Sequence, residues 1–216
     1  MLFDGLSPAT IITRIITLLI AFTFHEFSHA WTADRLGDDT PRLNGRLTLN
    51  PIAHLDIIGT LLLLLRGFGW ARPVPVNPYA LARRSPAALM WVSLAGPMSN
   101  LLMAVVAAIP LRLGLVPVPF GGSSYLPTAY DFLWEFMIIN LVLMLFNLIP
   151  IAPLDGEKIA EYFFPPPLSR LLETIRPYGP IILIAVVFVP PQFGFDVIGW
   201  IMGPALTNIL RLLVGG

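Results

Sequence analysis

The chain has 216 residues, of which 56% are hydrophobic and 12% are charged, and its formal net charge is zero. An ordinary soluble domain carries about 25% charged residues, so this composition predicts a multi-pass membrane protein. The balanced charge gives no indication of nucleic-acid binding. The absence of cysteine excludes disulfides, thiolate metal sites and a cysteine nucleophile.

The first apolar segment is predicted to be a membrane-spanning helix from about Ser7 to Leu36. Ser-Pro is a typical helix start and Gly37 a typical stop, and the apolar part reaches the ~20 residues that a span requires. The sequence H-E-F-S-H at 25–29 lies near the C-terminal end of this helix. Ionisable residues inside a span are costly, and they therefore indicate a functional site.

The connection that follows the first span has a different pattern. Asn44-Gly45 favours a tight turn and the residues after it alternate, which predicts a β-hairpin at 42–50. The proline-rich stretch 67–77 is predicted to be an extended edge strand. The apolar stretch 53–65 is too short to span comfortably, so we expect it to be re-entrant or interfacial.

Further spans are predicted at about 86–115 and 128–149. Two C-terminal apolar stretches, 175–189 and 195–214, form one or two more. The expected fold is therefore a membrane all-α bundle of about four to five spans, with a small membrane-associated β-hairpin or sheet element on the cytoplasmic side.

Positive charge orients this bundle. Most of the Arg and Lys residues lie in the two connections at 37–84 and 156–176. The positive-inside rule places these connections in the cytoplasm and the N-terminus outside. We therefore expect a multi-pass protein of the cell membrane, with His25, His29 and Asp155 all toward the cytoplasmic side.

The H-E-F-S-H motif has the spacing of a zinc site. His25 and His29 are one helical turn apart, about 6 Å along the axis, so both imidazoles lie on one face and can bind one ion. Glu26 between them is placed to act on water as a general base. A catalytic zinc ordinarily has three protein ligands, so a third ligand must come from elsewhere.

Asp155 is the best-placed third ligand, because it follows the third span directly and precedes a glycine that allows close backbone approach. Glu157 and Glu161 come next, but they lie beside Lys158 on a polar helix and have the pattern of solvated residues. A glutamate ligand remains open at this point. We expect one Zn²⁺ per chain.

These residues resemble the site-2 protease family of intramembrane zinc metalloproteases. The resemblance is carried by H-E-F-S-H and N-L-I-P-I-A-P-L-D-G, and by G-R-L-T-L-N-P-I-A-H-L-D, P-V-P-V-N-P and G-P-M-S-N in the same order. It implies that His25, His29 and Asp155 bind zinc and that Glu26 is the catalytic base. It also implies that Asn147 helps to hold the substrate or the oxyanion, and Asn100 is a second candidate for that role.

The resemblance implies an enzyme that hydrolyses peptide bonds in or near transmembrane segments, with single-span membrane proteins as substrates. The length leaves no room for a PDZ or CBS domain, so we expect a minimal form. It would be one domain over 1–216, with a catalytic core at about 7–165 and C-terminal spans at about 175–214. The expected partners are the substrate and the lipid bilayer, with no nucleic acid and no indication of oligomeric state.

Two alternatives use the same histidines differently. A metal-binding membrane transporter would bind a passing ion with His25 and His29, and Glu26 would be replaceable at modest cost. An integral-membrane zinc protease of the prenyl-protein-processing type would use Glu157 or Glu161 as the third ligand.

Overall fold

The computed structural model describes residues 7–56, 59, 69–119 and 125–215. Within these ranges the chain forms nine α-helices, with short 3-10 turns at Pro51–Ala53 and Arg176–Tyr178. The helices are α1 (Pro8–Arg35), α2 (Thr40–Leu43), α3 (Pro78–Arg84), α4 (Ala88–Arg112), α5 (Ala129–Asn147), α6 (Asp155–Phe163), α7 (Pro166–Ile175), α8 (Gly179–Gln192) and α9 (Val197–Val214).

Within the part of the chain that the structure describes, five helical stretches are long and apolar enough to cross a membrane. They are α1, α4, α5, the continuous stretch Pro166–Gln192 that contains α7 and α8, and α9. The predicted membrane bundle of about four to five spans is therefore confirmed.

Helix α1 begins and ends where its sequence signals predict. The Ser7 side chain accepts a hydrogen bond from the Thr10 backbone N–H at 3.2 Å, which satisfies one of the free donors of the first turn. After Arg35 the chain leaves the helix, and Gly37 adopts φ +93°, a conformation that favours glycine.

The predicted β-hairpin at 42–50 is wrong, because the residues around Asn44-Gly45 form and end a helical turn. Asp38 Oδ1 accepts a hydrogen bond from the Thr40 N–H at 3.0 Å, and Pro41 suits a first helical turn. Asn44 caps the C-terminus of α2, and Gly45 takes φ +67° directly after it. Asn-Gly suits a helix end as well as a hairpin turn, since both need positive φ.

The stretch 69–77 is extended, but it belongs to no sheet. Its one bridge in the described part of the chain pairs Ala71 with Leu55 in the antiparallel sense, and the Arg72 N–H donates to His54 O at 2.8 Å. Across the described ranges there is no β-strand, so the predicted sheet element is not supported. The predicted re-entrant segment at 53–65 lies mostly outside the described residues.

Helix α4 is the centre of the bundle, because it packs against α1 on one side and α5 on the other. Its contact with α5 is built from small residues on α4 and larger ones on α5. The buried residues of this cluster are Ala104, Ala107, Ala108, Met137, Leu141 and Met144. Small residues let helix backbones approach closely in a membrane, and this approach brings α1, α4 and α5 together around the motif.

Candidate metal centre

The two histidines of the motif point at one another from successive turns of α1. His25 and His29 are both buried, and their Nε2 atoms lie 3.0 Å apart. The helical spacing predicted one shared face, and the structure places both imidazoles there.

Asp155 completes a group of three. As the first residue of α6 it directs its carboxylate at both imidazoles, with Oδ2 3.1 Å from His25 Nε2 and Oδ1 3.3 Å from His29 Nε2. One ligand atom from each residue lies within 4.8 Å of the others, which is the geometry of a group that could hold a metal ion.

Gly156 explains how the carboxylate reaches this position. A Cβ at this residue would collide with the backbone of Leu148 and Ile149, where the chain leaves α5. Only glycine permits such a close approach. The packing of α6 onto the end of α5 therefore sets the place of Asp155.

The Nδ1 nitrogens of both imidazoles already have hydrogen-bond partners. His29 Nδ1 lies 2.7 Å from Val92 O, and His25 Nδ1 lies 2.6 Å from Asn100 Oδ1. Both partners are acceptors as placed, so each Nδ1 carries a hydrogen, and in the neutral ring each Nε2 then has a free lone pair.

With both imidazoles neutral, three electron-pair donors converge at this point. The Nε2 atoms of His25 and His29 face each other and the Asp155 carboxylate, whose buried Oδ2 has no hydrogen-bond partner. Such an arrangement is repulsive unless a cation lies within it. Two histidine nitrogens and one carboxylate oxygen are a ligand set that zinc uses in catalytic sites, with a fourth position left open.

The charge of Asp155 agrees with this role. Burial by itself would raise the pKa of the carboxyl group, but His29 and His25, when protonated, outweigh burial and hold the pKa below its ordinary value. The group is therefore a carboxylate at neutral pH and can act as a metal ligand.

Gly96 makes room for the centre on the opposite side. A Cβ there would lie 2.6 Å from His25 Nε2 and would also collide with His29 Nε2. Its missing side chain leaves space for the two imidazole nitrogens.

Glu26 is buried at 9% exposure beside this group, and it interacts electrostatically with His29 and Arg46. Burial lowers the pKa of the Arg46 guanidinium, as does Arg72, while Glu26 opposes both. The glutamate of the motif therefore lies in the same buried surroundings as the two histidines.

Arg46 was not identified from the sequence. Its side chain is 4% exposed and donates to the backbone carbonyls of Ala53, of Arg72 at 3.4 Å and of Pro73 at 3.4 Å. Arg46 therefore holds the extended stretch 69–77 against the loop after α2 by these hydrogen bonds. An arginine that binds three carbonyls of distant residues gives no local sequence signal.

The two asparagine candidates lie in different places. Asn100 is fully buried against His25. Asn147 is half-buried at the end of α5, and its Nδ2 donates within the helix to Leu143 O at 3.0 Å. The structure thus brings Asn100, but not Asn147, into contact with a residue of the metal centre.

Glu157 and Glu161 lie apart from the metal centre. Arg176 binds both carboxylates at 2.6 Å, and Lys158 lies 3.3 Å from Glu157 and 3.4 Å from Glu161. These glutamates are thus paired with cations of their own, and they lie outside the group of described residues that could hold a metal. The carboxylate that meets the histidines is Asp155.

The third histidine of the chain, His54, is fully buried, and its Nε2 lies 2.8 Å from Thr48 O. It belongs to the loop after α2. The group found among the described residues that could hold a metal does not include it.

Comparison with known proteins gives relatives that match along nearly the whole chain. It is 42% identical over 199 residues to "Putative zinc metalloprotease YwhC" of Bacillus subtilis, a match that covers 92% of this chain and 89% of that protein. No family model and no solved structure matches the chain.

Two further relatives share the same designation under the name Rip2. The protein of Mycolicibacterium smegmatis is 29% identical over 210 residues, covering 92% of this chain and 76% of its own length. That of Mycobacterium tuberculosis is 31% identical over 196 residues, covering 85% and 70%. With a buried group of two histidines and an aspartate on membrane helices, and with relatives of this identity and coverage, the chain belongs to the site-2 protease family of membrane zinc metalloproteases.

Proposed function

We propose that this chain hydrolyses peptide bonds in or near the transmembrane segments of membrane proteins, at a zinc site formed by His25, His29 and Asp155, with Glu26 as the general base. The observation that carries the proposal is the convergence of two imidazole Nε2 atoms and one carboxylate within 4.8 Å, with both Nδ1 atoms engaged elsewhere.

The chemistry divides between the ion and the chain. Zinc, when bound, supplies a Lewis acid that polarises a carbonyl and acidifies water. Glu26 accepts a proton from the attacking water and returns it to the leaving amine. Asn147, half-buried eight residues before Asp155, is proposed to hold the substrate or to donate to the oxyanion. The low dielectric of the membrane interior strengthens each of these interactions.

The proposed substrates are single-span membrane proteins. A helical substrate hides its peptide bonds, so it must unwind locally before the site can reach them. The extended stretch 69–77, which Arg46 fastens to the loop after α2, offers backbone groups to an unwound segment.

The proposed location is the cell membrane, with the site toward the cytoplasm. The histidines lie near the C-terminal end of α1, and the connections at 37–84 and 156–176 carry most of the positive charge. Water reaches a site near the end of a span more easily than one at its middle.

The test is a comparison of wild type with Glu26→Gln, co-expressed with a panel of membrane-anchored reporters. Glu26→Gln should retain stoichiometric zinc and lose cleavage, since the amide cannot accept the proton. A transporter would tolerate this change at modest cost. Wild type without zinc, or a Glu26→Gln variant that still cleaves, would remove the basis of the proposal.

A further inference from the structure

A chain of amide hydrogen bonds runs from the interior of α5 to the metal centre. Asn140 Nδ2 donates to the Phe136 carbonyl at 2.8 Å. Asn100 Nδ2 donates to Asn140 Oδ1 at 2.9 Å, and Asn100 Oδ1 lies 2.6 Å from His25 Nδ1. Asn100, Asn140 and His25 are all buried, so water does not compete with these bonds.

The Phe136 carbonyl fixes the direction of every bond in this chain. An amide side chain can be turned end for end, but a backbone carbonyl only accepts hydrogen bonds. Asn140 must therefore present its NH₂ to Phe136 and its oxygen to Asn100. Asn100 must in turn present its NH₂ to Asn140 and its oxygen to His25.

The consequence falls on the tautomer of His25. An oxygen facing Nδ1 requires a hydrogen on Nδ1, which leaves Nε2 as the bare nitrogen that faces His29 and Asp155. We propose that Asn140 and Asn100 are positioning residues that hold His25 in the tautomer and orientation required for zinc binding. This inference rests on the proposed zinc role of His25.

A hydrogen-bond relay of two uncharged amides, Asn100 and Asn140, suits this location inside the helix bundle. Metal-binding histidines are commonly oriented by a carboxylate or a backbone carbonyl, and His29 uses the Val92 carbonyl in this way. A carboxylate near the middle of the bundle would add a buried charge, which is costly within a membrane. The amides of Asn100 and Asn140, anchored on the Phe136 carbonyl, place an acceptor oxygen against His25 Nδ1 without adding a charge.

The test is a cycle of variants in which zinc affinity is measured by chelator competition on the detergent-purified full chain. In Asn140→Ala the Asn100 amide is free to turn its NH₂ toward His25, and we expect zinc to bind roughly 10- to 100-fold more weakly, as is typical when such an outer partner is lost. Thr17→Val is the control, because Thr17 is buried in the same helix as His25 and its hydroxyl has no hydrogen-bond partner among the described residues. It should bind zinc like wild type.

The second part of the test places at position 100 a side chain that presents an acceptor oxygen to His25 in either orientation. A carboxylate at 100 has no donor end, so Asn100→Asp combined with Asn140→Ala should recover most of the lost zinc affinity. Asn100→Asp alone should bind zinc more weakly than this double variant, because its second oxygen faces the oxygen of Asn140. This comparison remains available if Asn140→Ala alone fails to fold.

The outcomes separate the relay from the zinc site itself. Wild type that binds no zinc would contradict the proposed function. Wild type that binds zinc, together with an Asn140→Ala variant of equal affinity, would overturn the relay alone. Failure of the double variant to exceed Asn100→Asp would likewise assign Asn140 a packing role and overturn the inference.

Discussion

Asp38 and Asn77 are joined by a hydrogen bond across 39 residues of sequence, with the Asn77 backbone N–H donating to Asp38 Oδ2 at 2.6 Å. The same carboxylate accepts from the Thr40 N–H through Oδ1, and its residue is 1% exposed. Asp38 thereby joins the extended stretch 69–77 to the segment that follows the end of α1.

The first prediction concerns this bond. Asp38→Ala should lower the free energy of unfolding by roughly 1.5–3 kcal/mol for each hydrogen bond lost, since bonds to a charged acceptor have about that strength. Thermal unfolding of the purified protein measures the effect. Asp39→Ala is the control, because Asp39 is exposed and makes no capping bond with its side chain. Equal melting temperatures for the two variants would show that the tie contributes little.

The second prediction concerns Gly96. Gly96→Ala should lose stoichiometric zinc while keeping its helical circular dichroism, because the added methyl group meets the Nε2 atoms of both histidines. Gly203→Ala makes the same change in α9, at a position with open space around it, and should keep its zinc. Metal analysis after gel filtration compares the two variants. Normal zinc content in Gly96→Ala would mean that the imidazoles lie elsewhere in solution.

Local signals predicted the parts of the fold that depend on a few neighbouring residues. Ser7 and Gly37 mark the two ends of α1, because a side-chain cap and a positive-φ glycine act within one helical turn. The spacing of His25 and His29 determined their shared face for the same reason. Asn44-Gly45 was interpreted wrongly because one dipeptide serves two structures, and Thr40-Pro41 before it favoured the helical one.

Contacts between distant residues could not be predicted in this way. The bonds of Arg46 to Arg72 and Pro73 join loops that are far apart in sequence. Asn140 was missed although a signal was present. It is an amide in the middle of an apolar span, where an unpaired polar group is costly and a partner is expected.

The third prediction distinguishes the possible third ligands. Asp155→Ala should abolish stoichiometric zinc binding, because it removes the carboxylate that faces both imidazoles. Glu161→Ala should keep its zinc, because Glu161 is paired with Arg176 and Lys158. Zinc content per chain measures both. The reverse result would favour a site of the prenyl-protein-processing type.

The fourth prediction concerns the backbone of the extended stretch. Among the described residues, no backbone–backbone hydrogen bond engages Val74 or Val76. Proline at either position would remove an N–H donor from a segment that already contains prolines and is extended, a conformation that proline tolerates.

We therefore expect Val74→Pro and Val76→Pro to slow reporter cleavage while zinc content stays at the wild-type value. The physical reason is that an unwound substrate pairing with this stretch would lose a main-chain hydrogen bond. Val74→Ala and Val76→Ala keep the N–H and serve as controls for the lost side chains. If the proline and alanine variants cleave at equal rates, the substrate does not pair with this backbone.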